Sequence, residues 1–133
     1  MGRTVLGSLA AGFVMFILGW VFFGSPLYTM LSGAAAGEQP SVQTLVMGFV
    51  LFAIVSWALA TLLSFVPAGA RMQATIWAAA TAMLFTNVGA PIWDGADWRM
   101  SIYAAVAGFV MLVAAGFVLI RWFAPASAMA AAE

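Results

Sequence analysis

Apolar positions in this chain gather into four long runs, and polar positions fall mostly between them. Thr4 to Phe23, Val42 to Phe65 and Met72 to Val88 carry no charge. Trp98 to Phe123 is charged only near its ends, at Arg99 and Arg121. Runs of this length match the ~20 residues that carry a helix across a bilayer core. The pattern therefore predicts four transmembrane helices.

The breaks between the runs carry start and stop signals. Ser25-Pro26 places an N-capping serine before a proline at the first helical position, and Gly33 follows a turn or two later. This predicts a short interfacial helix after the first span. Ser41 can cap the second span, and Pro67-Ala68-Gly69-Ala70-Arg71 is a turn short enough to make the second and third spans antiparallel neighbours. Thr86-Asn87 is expected to close the third span, with Gly89 to Asp97 as a loop and Asp97 as the cap of the fourth. The halves share a Gly/Pro junction, Gly24-Ser25-Pro26 and Gly89-Ala90-Pro91, which hints at a parallel repeat. Residues 1–123 form one domain on this reading, and 124–133 an alanine-rich tail.

Composition narrows the class. Of 133 residues, 66% are hydrophobic and 6% charged, against about 25% charged in a soluble domain. Cysteine and histidine are absent, which excludes disulfides, thiol nucleophiles, the usual zinc sites and imidazole acid–base chemistry. The net charge is zero and no basic run occurs, so nucleic acid is not an expected partner. No cofactor or metal is implied. With four spans, Arg3, Arg71 and Arg121 fall on one side and Arg99 on the other. The positive-inside rule makes the three-arginine side cytoplasmic, with both termini there. Trp20, Tyr28, Trp93, Trp98 and Tyr103 then form an outer aromatic belt, and Trp77 and Trp122 an inner one. Arg3 before an apolar run resembles a leader peptide, but the run exceeds a usual leader core and reads as a retained helix. Trp57 lies deeper than a belt residue and is expected to pack between helices.

Small residues mark the packing faces. Gly12 and Gly19 sit a heptad apart on the first span, Ala74, Ala78 and Ala82 at four-residue spacing on the third, and Gly108 and Gly116 on the fourth. Such stripes let helix backbones approach closely. The hydroxyls of Ser56, Thr61 and Ser64 are expected to return to their own helix's carbonyls. The methionines lack a ligand spacing and read as flexible packing.

Candidate chemistry concentrates in 84–103. Asp94, Asp97 and Arg99 could pair a carboxylate with a cation, hold an anion or act as acid and base, or simply cap a helix and pair in a wet turn. Asn87 carries an amide among apolar neighbours and needs a partner, either a helical clasp or a ligand. With Trp93 and Trp98 these are the candidate ligand or partner contacts. No charge lies mid-span, where coupled transporters usually hold one.

Leu18-Gly19, Phe22-Phe23 and Pro26-Leu27, with Thr86-Asn87, Trp93-Asp94-Gly95 and Trp98, resemble motifs in a family of small bacterial four-helix membrane proteins of unknown function. Phe22-Phe23 stands where a Trp-Tyr pair is usual there. The resemblance implies the fold and an inner-membrane location. The expected role is non-enzymatic: an accessory or structural subunit in membrane lipid, docking copies of itself as a homo-oligomer or joining a larger membrane complex. The alternative is a small carrier or binding protein for an apolar, lipid-like molecule, open near Asn87, Trp93 and Asp94.

Overall fold

The computed structural model describes residues 2–33 and 41–123. The predicted tail and the loop around Glu38 lie outside the described residues. Among the described residues, four helices are long and apolar enough to cross a membrane: Gly2–Phe23, Val42–Ser64, Ala68–Trp93 and Trp98–Phe123. The first is α1. A short helix, α2 (Pro26–Ser32), follows it, capped by the Ser25 hydroxyl at its start and by Gly33 at φ +66° at its end. The second span is α3 (Val42–Ser64), whose Ser41 hydroxyl accepts from the Thr44 N–H. Both caps stand where the sequence predicts them.

The third span differs from expectation. It does not stop at Thr86-Asn87. A 3-10 turn (Ala68–Ala70) leads into α4 (Arg71–Met83), then a π turn at Leu84–Val88, then α5 (Gly89–Trp93). Pro91 is buried inside the helix rather than in a loop. Proline has no N–H to return to the carbonyl four residues back, and its ring crowds that carbonyl. The wider π turn lies immediately before it and supplies the room an α-turn lacks. The two Gly/Pro junctions are therefore unlike: Ser25-Pro26 starts a helix, whereas Ala90-Pro91 lies within one. The local structure does not follow the suggested repeat. The fourth span is α6 (Trp98–Val118), ending in a second π turn at Leu119–Phe123.

The spans do not pack in chain order. Spans one and four are central, with 28% and 33% of their most apolar stretch buried, against 17% for each of the other two. The α1–α3 interface is the most extensive, followed by α1–α6 and α4–α6, while α3 and α4 scarcely touch. The turn at 67–71 thus joins two helices that diverge, contrary to the sequence expectation. A turn fixes where two helix ends meet but not which faces pack. Here the faces send α3 to α1 and α4 to α6.

Those faces are set by glycine. A Cβ built on Gly12 would lie 2.8 Å from Ala53 Cα, so the α1 and α3 backbones touch. A Cβ on Gly116 would collide with Thr75 Cγ2, and one on Gly108 with Met83 Sδ. Gly19 faces Met111 and Phe52 at 3.4 and 3.6 Å, at ordinary contact. The predicted alanine face of the third span is displaced by one position. Thr75 and Ala79 are buried, and Ala74, Ala78 and Ala82 flank them half-buried. A core of Met15, Leu59, Leu63, Met111, Val118 and Leu119, among others, fills the space between α1, α3 and α6.

Gly7 lies against Phe123, so the start of α1 and the end of the fourth span share one end with the turn into Arg71. This is the arginine end. Asp94 and Asp97 mark the opposite, aspartate end.

Candidate functional site

The predicted contacts at 84–103 are not gathered into one site. Asn87 lies in the π turn, and its amide is committed to its own helix. Asn87 Nδ2 donates to Thr86 Oγ1 at 3.0 Å and to the Met83 carbonyl at 3.4 Å. The Thr86 hydroxyl donates to the Ala82 carbonyl at 2.7 Å. These side chains reach the carbonyls of the last α-turn, just where the hydrogen-bond pattern changes to π. The amide thus acts as a clasp within one helix and does not reach a neighbouring span.

Asp94 follows α5 and its N–H donates to the Ala90 carbonyl at 2.8 Å. Gly95 takes φ +67°, which glycine adopts without steric cost, and reverses the chain. Asp97 Oδ1 accepts from the backbone N–H groups of Arg99 at 2.7 Å and Met100 at 3.2 Å. Asp97 is thus the helix cap the sequence predicts, and it meets Arg99 through the backbone. Asp94, Trp98 and Arg99 are exposed, and Trp93 is 83% exposed. A shallow concavity of about 530 Å³ runs along this helix, lined by Phe85, Gly89, Trp93 and Asp94 among others. Asn87, Asp97, Trp98 and Arg99 do not line it.

The sequence reading missed a clasp nearby. The Tyr103 hydroxyl, on α6, donates to the Phe22 carbonyl at the end of α1. Ser25 Oγ donates to the same carbonyl at 2.7 Å and lies 3.2 Å from the Tyr103 oxygen. Phe23 meets Tyr28 and Tyr103 edge-on, at ring centroid distances of 5.5 and 6.2 Å. One carbonyl left open by the end of α1 thereby ties together α1, α2 and α6. The available signal was modest: Ser25, Tyr28 and Tyr103 all fall at one membrane face once the four spans are drawn. Tyr103→Phe should lower stability by about 1 kcal/mol, since Ser25 still satisfies the carbonyl. A denaturant titration in detergent measures this, and no shift in midpoint would count against the clasp.

A second groove lies between α1 and α3, with a volume of about 330 Å³. Val5, Leu9, Val50, Ile54 and Trp57 line it, with Ser8 as the polar member. The Ser8 hydroxyl donates to the Thr4 carbonyl at 2.8 Å, leaving the groove apolar. Trp57 does not pack between helices as expected. It is 56% exposed at the rim. Ser56 beside it also differs from expectation, since its hydroxyl donates across the helix interface to Met15 Sδ at 3.5 Å.

No protein family, curated protein or solved structure matches the chain. What the protein does must be read from its own residues.

Proposed function

We propose that this is a non-enzymatic integral membrane protein of the bacterial inner membrane, an accessory or structural subunit that docks other membrane helices. The partner is either a second copy or a larger complex. The arginine end faces the cytoplasm with both termini, and α2 lies along the outer interface. The resemblance to small bacterial four-helix membrane proteins of unknown function supports the same location.

One observation carries the docking reading: the α1–α3 groove with Trp57 exposed at its rim. Lipid covers apolar helix surface adequately, so exposure alone is no argument for a partner. A rigid indole beside an open apolar groove is different, because aromatic anchors dominate protein interfaces. The glycine seams at Gly12, Gly108 and Gly116 do not serve this purpose, since they are occupied inside the chain. Blue-native electrophoresis after mild solubilisation tests the reading. The wild type should migrate as an assembly larger than one chain. Trp57→Ala should weaken it by about 2 kcal/mol, roughly thirty-fold. A lone chain in both samples would refute it.

The alternative, an apolar or lipid-like ligand, is favoured by the same groove's lack of free polar groups. It moves the ligand away from Asn87, whose amide is already bonded. Native mass spectrometry separates the readings. A co-purifying molecule should survive Asn87→Leu and be lost in Val50→Trp, which fills the groove.

A further inference from the structure

Arg71 is the most unusual charge in the molecule. It begins α4 at the arginine end and is 6% exposed, whereas Arg3, Arg99 and Arg121 are exposed. Arg71 Nε donates to the Val66 carbonyl at 3.1 Å, across the turn, and this fixes the plane of the guanidinium. Its Nη nitrogens have no acceptor among the described residues. Among the described residues, no fully buried side-chain nitrogen lacks a partner, so those nitrogens reach the surface. The stem is therefore enclosed and oriented, with the outer edge of the fork presented at the end of the bundle.

Among the described residues, no carboxylate stands beside it as a counter-charge. The described carboxylates, Asp94 and Asp97, lie at the opposite end. An arginine that merely extends toward water keeps its head solvated and mobile. This one is held in place and nearly covered, an arrangement suited to two-point recognition of an oxyanion. Arg71 also begins α4, whose N-terminus is the positive end of the helix dipole.

We propose that Arg71 binds a phosphate group at the arginine end of the bundle. Its source is either the headgroup of an anionic phospholipid or free phosphate. The proposal requires only that the chain sits in a membrane, and it is independent of the docking reading at Trp57. The test uses the full chain in detergent, titrated with phosphatidylglycerol or phosphatidylcholine of the same acyl chains and read by native mass spectrometry. The expected result is one retained phosphatidylglycerol, with roughly ten-fold preference over phosphatidylcholine. Arg71→Gln should abolish the preference, Arg121→Gln should preserve it, and Arg71→Lys should keep part of it by retaining charge without the fork. Displacement of the lipid by millimolar inorganic phosphate would assign the site to free phosphate, and resistance to displacement would assign it to the headgroup. Should Arg71→Gln fail to fold, Arg71→Lys carries the test, and a preference undiminished from the wild type's would overturn the proposal. No preference in the wild type, or an equal preference in Arg71→Gln, overturns the proposal.

Discussion

Replacing Gly12 with alanine should destabilise the fold more than the same change at any other glycine in the spans, by about 3 kcal/mol, and leucine there should prevent α1 and α3 from packing. The reason is what the new atom meets. At Gly12 it meets the backbone of Ala53 at 2.8 and 2.9 Å, and backbone cannot turn aside. In lipid, helices associate through close packing rather than hydrophobic expulsion, so separating two backbones removes most of what joins them. Gly116→Ala should cost less, about 1–2 kcal/mol. Its obstacle is the Thr75 side chain, which can rotate only by giving up its hydrogen bond to the Arg71 carbonyl at 2.9 Å. Gly108→Ala should cost under about 1 kcal/mol, because the Met83 thioether is the far end of a flexible chain and can swing away. Gly19→Ala should be close to neutral, facing Met111 at 3.4 Å. Reversible unfolding in mixed micelles, followed by far-ultraviolet circular dichroism, yields the order directly. Equal costs at Gly12 and Gly108 would mean that the α1–α3 approach is not as close as described.

The spans and their caps were legible because they depend on local chemistry. An uncharged run of bilayer length, a serine before proline and an aspartate before Trp98 each act within a turn of themselves. What was not legible depends on partners. Pro91 signals a helix end when read alone, and only the π turn before it lets the helix continue. Pro67 to Arg71 signals adjacent helices, yet Gly12 draws α3 to α1 and Thr75 draws α4 to α6. Tyr103 could be placed at one membrane face with Ser25 and Tyr28, but not assigned its acceptor, a carbonyl distant in sequence. The candidate contacts at 84–103 are not gathered into one site for a related reason. Asp97 and Asn87 stand out because polar side chains are scarce here, and each is engaged by its own helix. Scarcity drew attention to 84–103, while Trp57, exposed at the groove rim, passed as a helix-packing residue and the nearly covered Arg71 as a turn residue.

Single cysteines at the two ends of the bundle should label from opposite sides of the membrane. The natural chain has no cysteine, so any signal comes from the introduced thiol alone. Ala96 lies exposed between the third and fourth spans at the aspartate end, and Ala68 lies exposed in the turn at the arginine end. With the arginine end cytoplasmic, a membrane-impermeant maleimide added to spheroplasts should modify Ala96→Cys to near completion. It should leave Ala68→Cys unmodified until the membrane is opened. The effect is all or none because the reagent either meets the thiol or faces a bilayer. The physical basis is the sidedness of arginine: Arg3, Arg71 and Arg121 at one end oppose Arg99 at the other, and such a bias sets orientation during insertion. Asp94 and Asp97 contribute little to that choice. If both thiols label from outside, the third helical segment does not cross, and the four-span reading fails. If only Ala68→Cys labels, the four spans stand and the orientation is reversed. Reversal would also carry the phosphate site at Arg71 to the outer leaflet, where its lipid preference can still be measured but its cytoplasmic supply of free phosphate disappears.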